Sequence, residues 1–363
     1  MNLDSSYREK IHLLSSEWAN YPAHQPLQLF TLENDFVFVS VTNFGLRLVH
    51  LLTTDANGQP VDIIVGPEAP GDFISSNNPY YGAVIGRYAN RIDKGRFQLN
   101  GEWYQLNCNN GPNHLHGGEN GLHNQVWGCI YQSSTKLIFS HYSPHGTEDY
   151  PGNVQVEVSI ELVQNSLKIE YRATTDAPTI LNLTHHPFFN LDGCGTANFD
   201  SHQLQLAADY YLPVRIDSVP DGSLEKVTAT PFDFTKSASL AQHIKQEHEQ
   251  LKRGNGFDHC FVRRNYQSES FGLMGSVYSQ HNGIFMRIYT TEPGVQLYTG
   301  NFMDGSNKIK NGGVDVVRSA FCLETQHFPD SPNHPDFPSV VLVPGQEYLS
   351  TTTFEFFNQP IIT

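Results

Sequence analysis

Hydrophobic and polar residues alternate most cleanly where Val154, Val156, Val158, Ile160 and Leu162 are interleaved with Gln155, Glu157, Ser159 and Glu161. A period of two puts the two sets on opposite faces, so this segment predicts a strand with one wet face. Gln164-Asn165-Ser166 then turns the chain, and Leu167, Ile169 and Tyr171 return as its antiparallel partner. Two more hairpins are signalled by Asn-Gly pairs, Asn100-Gly101 between Phe97 and Leu106, and Asn282-Gly283 ahead of Ile284 to Thr290. Phe36 to Leu52 reads as a strand run broken at Asn43–Gly45, and Val314 to Leu323 as a further apolar strand. Helical spacing is clearest over 236–253, through Leu240, Ile244 and Leu251. Residues 1–26 are polar and mixed and read as an arm or an opening strand. Residues 66–82, rich in Pro, Gly, Ser and Asn, read as a long irregular connection. No composition break, low-complexity tract or repeat divides the chain. The expected fold is all-β, with residues 1–363 forming a single large antiparallel β-sandwich.

Composition narrows the function more than the fold. The chain has 23 Phe, 17 Tyr, 29 Gly and 21 Pro in 363 residues, which suits many short strands and turns. A formal charge of −15 argues against a nucleic-acid backbone or an anionic membrane as partner. It also disfavours a phosphorylated substrate unless arginines cluster locally, and leaves neutral polar ligands as the best fit. Five scattered cysteines with no C-x-x-C spacing give neither a disulfide scaffold nor a zinc knuckle. The N-terminus has no apolar stretch, and no run of about 18 apolar residues occurs, so a cytoplasmic location is expected.

Several segments carry candidate chemistry. In N-L-T-H-H-P-F-F-N-L (182–191), adjacent His185 and His186 would point to opposite faces of a strand edge interrupted at Pro187. One could serve a cleft while the other packs; two packed structural histidines are an equally good reading of this stretch alone. In G-R-Y-A-N-R-I (86–92), one of Arg87 and Arg91 is expected in a structural salt bridge, the other with Asn90 as donors to hydroxyls or carboxylates. In G-P-N-H-L-H-G-G (111–118), His114 and His116 would share a side if extended. This H-x-H resembles a cupin metal site, but Glu119 comes one residue too early for it and no second-half partner appears. Asp258 follows a glycine-rich turn, as an Asx cap or an acceptor for ligand hydroxyls. Gln296, Tyr298 and Gly300 fall on one strand face, and Glu324 emerges from the apolar strand before a Pro/Asn/His-rich loop. A carboxylate in apolar surroundings tends to a raised pKa, which suits a general base. His327, Asp330 and His334 could suggest a metal cluster, but a solvated loop collects such residues without one.

Taken together, G-R-x-A-N-R-I, L-H-G-G, G-F-D-H, V-Q-L-Y-T-G-N, L-E-T-Q and the closing N-H-P-D-F-P-S-V-V-L-V-P-G-Q-E-Y resemble the aldose 1-epimerase (galactose mutarotase) family. The resemblance runs from about Asn43 to Gly345. It implies a β-sandwich enzyme that interconverts hexose anomers, with a small-molecule hexose as partner, no cofactor and no metal, as monomer or homodimer. By that carry-over Glu324 is the base and His186 the acid, while Asn90, Arg91, His116, Asp258 and Gln296 bind the sugar. The chain departs from the family pattern at His185, where Asn is usual, and at Pro187-Phe188. A hexose 6-phosphate mutarotase, a sugar-binding protein without catalysis and a metal-dependent cupin-like enzyme remain as alternatives.

Overall fold

The alternating segment at 154–162 forms the strand Val154–Val163, paired in register with Ser166–Thr175 so that Ile160 faces Ile169. The computed structural model describes residues 3–268 and 270–358. This pair lies within a nine-stranded sheet ordered Gly128–Gln132, Lys136–Ser143, Val154–Val163, Ser166–Thr175, Tyr348–Asn358, Ile284–Thr290, Gly272–Ser279, His202–Leu206, Ala238–Ser239. The Asn282-Gly283 hairpin joins two of its members, with Tyr278 opposite Phe285. The Asn100-Gly101 signal gives a two-stranded ribbon, Arg96–Leu99 with Glu102–Gln105.

A four-stranded sheet (Leu29–Glu33, Phe38–Thr42, Leu48–Thr54, Pro60–Asp62) and a five-stranded sheet pack against the large one. The latter is ordered Glu225–Lys226, Ala208–Tyr211, Asp258–Arg263, Gly294–Tyr298, Cys322–Gln326. The core lies between these layers: Val156, Val158 and Ile160 from the large sheet join Val39 and Leu51 from one facing sheet and Phe261, Val295 and Leu297 from the other. Every pair of named strands is antiparallel, which places the molecule in the all-β class expected from its sequence. All five cysteines are free thiols, and no helix of the described residues is long and apolar enough to cross a membrane.

Four expectations are corrected. Residues 1–26 contain a helix, Ser5–Asn20, rather than an arm or strand. Asp4 caps it by accepting from the Tyr7 amide, and Ile11, Leu14 and Trp18 form its buried stripe. The 236–253 segment splits into two short helices, Leu240–His243 and Glu249–Arg253. His248 is extended between them and starts the second by accepting from the Gln250 amide. The Val314–Leu323 run is mostly loop, because buried Asp315 organises it through Tyr81 and Asn307 while Val314 and Val317 stay exposed. The strand there is Cys322–Gln326, with Glu324 at its centre. Within the connection at 66–82, Pro70–Ser75 forms one short helix.

Candidate active site

Strand register in the five-stranded sheet sets one half of the site. Gln296 pairs with Glu324 across neighbouring strands, and Cys260 pairs with Gln296 on the other side. Asp258, two residues before Cys260, therefore lies diagonally on the same face. The Gln296 amide Nε2 donates to Asp258 Oδ1 at 2.7 Å.

The other half comes from segments near the chain's middle. Arg91–Ile92 pairs with His114–Leu115, and Asn90, in left-handed conformation, exchanges hydrogen bonds with His116. His186 is fixed by its backbone: its N–H donates to the Ala83 carbonyl and its carbonyl accepts from the Gly82 N–H. Its ring is stacked between Tyr80 and Phe188, at interplanar angles of 23° and 25°.

These halves meet around a cavity of about 700 Å³ lined by Asn90, Arg91, His116, His186, Asp258 and Glu324, with Tyr80, Phe188, Tyr298 and Phe302 as aromatic wall. His186 Nε2 stands 3.4 Å from Glu324 Oε1. Arg91 Nη1 stands 3.6 Å from Asp258 Oδ2. Gln296 is buried behind the lining and reaches the cavity through Asp258. Glu324 Oε2, Gln296 Oε1 and His186 Nδ1 are buried polar atoms with no hydrogen-bond partner. Such atoms are costly unless a ligand or water completes them.

The electrostatics of the pair are unusual. Burial, reinforced by the Asp258 charge and opposed by Arg91, holds Glu324 well above the ordinary carboxylate range. Burial pulls His186 down to about 4, with a smaller push from His185. Burial thus acts against the charged form of each partner, raising the carboxyl and lowering the imidazole.

His116, His186 and Glu324 offer three potential ligand atoms within 4.8 Å of one another, the group that could hold a metal among the described residues. The donor set fits poorly. The Asn90 N–H donates to His116 Nδ1 at 3.2 Å, which leaves the proton on Nε2. A metal on Nε2 would shift that proton to Nδ1 and set two N–H groups against each other, whereas ligating histidines normally donate from the far nitrogen. The same tautomer makes His116 Nε2 a hydrogen-bond donor, suited to a ligand oxygen.

Residues 28–355 match the sequence profile of the family described as aldose 1-epimerase. The chain belongs to that family. It is 40% identical over 330 residues to the galactose mutarotase of Sus scrofa, covering 91% of this chain and 94% of that one. It is 33% identical over 353 residues to the aldose 1-epimerase of Escherichia coli K12, covering 96% and 100%. Among solved structures, an aldose epimerase homologue from C. elegans superimposes with a TM-score of 0.85 at 29% identity, over 92% and 99% of the two chains. A galactose 1-epimerase from Lactobacillus acidophilus gives 0.81 at 28% identity, over 93% and 97%.

In this aldose 1-epimerase family member the motif histidines separate. His185 faces away from the cavity, with Nε2 donating to the Leu46 carbonyl and Nδ1 accepting from the Tyr171 hydroxyl. Its departure from the family's usual Asn therefore leaves the hydrogen bonds of His186 untouched. His114 does not join His116 as expected. It donates from Nδ1 to the Asn107 carbonyl and accepts at Nε2 from Tyr150, because the left-handed φ of 52° at His116 breaks the strand alternation. Arg87 is the structural arginine, but it caps five acceptors rather than a carboxylate: the carbonyls of Ser143, Pro144, Pro151 and Gly152 and the Ser143 hydroxyl. His327 pairs with Glu292 and His334 with Asp330, away from the cavity. Asp258 is a strand residue, so the Asx-cap reading falls. Sequence reasoning did not single out Tyr80, Phe302 or Asn110, which sit in polar loops without periodicity; Tyr298 shared a face with Gln296 by alternation and was within reach.

Proposed function

We propose that this chain is an aldose 1-epimerase that interconverts the α and β anomers of a free hexose, such as galactose or glucose, using only its own side chains. Glu324 takes the proton of the anomeric hydroxyl while His186 gives one to the ring oxygen. The bond from C1 to the ring oxygen breaks, the open aldehyde turns about C1–C2, and reclosure with roles reversed delivers the other anomer. Both reacting oxygens hang on one carbon, so their acid and base must stand within a few ångström of each other. The 3.4 Å approach of His186 to Glu324 inside a buried polar cavity is the observation that carries the proposal. Each positioned acid or base contributes on the order of 10²–10⁴ in rate. Arg91 and His116 supply donors to oxygens near C1, Asp258 accepts from ring hydroxyls and Asn90 and Gln296 support them.

A hexose 6-phosphate is disfavoured. Arg91 is the sole lysine or arginine among the described lining residues, and Asp258 and Asp217 stand in the same wall. Arg87 is spent on carbonyls, and Arg96 lies over the Trp103 ring. A phosphate dianion is normally met by more positive charge than this.

Polarimetry on freshly dissolved α-D-galactose and α-D-glucose tests the reading. Wild type should accelerate mutarotation, and Glu324→Gln and His186→Ala should each abolish most of that acceleration. No acceleration of either sugar would overturn the free-hexose assignment, and active variants would overturn the residue roles.

A further inference from the structure

The guanidinium of Arg91 is oriented by a loop that no part of the proposed chemistry has yet used. Its Nε donates to Asn110 Oδ1 at 3.0 Å. Its two Nη groups make no hydrogen bond with the described protein beyond the 3.6 Å approach of Nη1 to Asp258, and so remain free for a substrate oxygen.

Asn110 is itself held on several sides. Its backbone N–H and carbonyl exchange hydrogen bonds with Asn113, closing a tight turn over Gly111-Pro112. Gly111 stands at φ 59°, the left-handed conformation such a turn needs. On one flank the Asn109 side chain takes both backbone groups of Leu115, the strand partner of Arg91. On the other, the Asn113 side chain accepts from the Lys94 amide and donates to Asp217, which Arg215 holds in turn. The acceptor facing Arg91 Nε is thus presented by a braced loop on the cavity wall.

A guanidinium is a planar fork, so fixing Nε fixes the directions of both Nη groups. We propose that Asn110 is a positioning residue for the epimerase reaction, holding the Arg91 fork in the plane from which it meets the sugar oxygens near the reacting carbon. This rests on the mutarotase reading above. Without Asn110 the long arginine side chain keeps its charge and loses its aim, so substrate still enters while fewer bound molecules are correctly met.

The test is a double-mutant cycle with Asn110→Ala, Arg91→Lys and the double variant, assayed by polarimetry for kcat and KM. Asn110→Ala should lower kcat/KM about tenfold, chiefly through kcat, a coupling within the range of contacting pairs. In the Arg91→Lys background, which has no Nε–H fork, the same change should cost less than about twofold, since directly coupled residues are strongly non-additive. Asn110→Asp, which keeps an acceptor, should recover most of the loss. Wild-type kinetics in Asn110→Ala, or losses that simply multiply in the double variant, would overturn the inference alone. A wild type that accelerates neither sugar overturns the mutarotase reading, and the inference with it.

Discussion

Gln296 holds Asp258 by a 2.7 Å hydrogen bond, and the carboxylate so held opposes the ionisation of Glu324 next to it. Burial is the larger influence on Glu324 and Asp258 the next, both acting upward against Arg91. Replacing Asp258 by Asn removes a negative neighbour, so Glu324 should ionise at lower pH. The acid limb of a pH profile of kcat/KM should then move to lower pH while KM for the hexose rises. Arg91→Ala should move the limb the other way. An acid limb that stays put in Asp258→Asn would show that burial alone sets the base.

Buried Glu292 pairs at 2.6 Å with partly buried His327, the residue that follows the site strand Cys322–Gln326. Burial works against the His327 cation, but the charge and hydrogen bond of Glu292 outweigh it and raise its pKa above 6.5. Burial likewise opposes the Glu292 anion, yet His327, Ser350 and Tyr348 together bring it below 4.5. The histidine's contribution to stability is fully present below 6.5 and is lost as pH climbs through its raised folded value; the carboxylate's is present above 4.5 and is lost in acid. Thermal melts should therefore show a loss of stability from neutral into mildly alkaline pH. His327→Gln should flatten that slope.

Arg87 satisfies four backbone carbonyls and one hydroxyl at 2.7–2.9 Å. Arg87→Met leaves buried acceptors without a donor, a change expected to cost about 3 kcal/mol or more. Urea unfolding measures this, and a midpoint unchanged from wild type would mean that water replaces the guanidinium without penalty.

Gly117 lies at φ 84°, and a Cβ placed there would fall 1.8 Å from the Gly86 carbonyl oxygen. Gly117→Ala must displace the chain beside His116. We expect a loss of about 1–3 kcal/mol in unfolding free energy, of the size that strained backbone sites carry, together with a raised KM for hexose. Unaltered kinetics would show that His116 is held by its partner Asn90 alone.

Trp18 is fully buried and donates from Nε1 to the Glu68 carbonyl. Its truncation to Ala should destabilise by about 3–5 kcal/mol, as for large aromatic deletions in cores. No residue of the helix lines the cavity, so KM should hold in whatever fraction remains folded; a changed KM would tie the helix to the site.

What the sequence made legible follows from how each element is buried. Val154–Val163 could be read because one face is wet and the other dry, so composition alternates with geometry. The helix Ser5–Asn20 could not, since most of its surface is polar and only Ile11, Leu14 and Trp18 of it are buried. Among the site residues, Glu324, His186, Asp258 and His116 stood out through their motifs, and the structure brings them to one cavity. The split between His114 and His116 was hidden because a single left-handed residue redirects a side chain without any change of residue type. Asn110 was hidden as one polar residue in a polar loop, and only its contact with Arg91 distinguishes it.

The cavity draws on segments far apart in the chain: Glu324 comes from the five-stranded sheet, and His186 from the loop that follows the strand Thr184–His185. Contacts so distant along the chain form late, after the loops between them have closed. Anomerisation therefore serves as a clock for the last stage of refolding. It should lag behind the fluorescence change of Trp127, which packs into the main core, and the interval between the two signals would time the closing of the cavity after that core has formed.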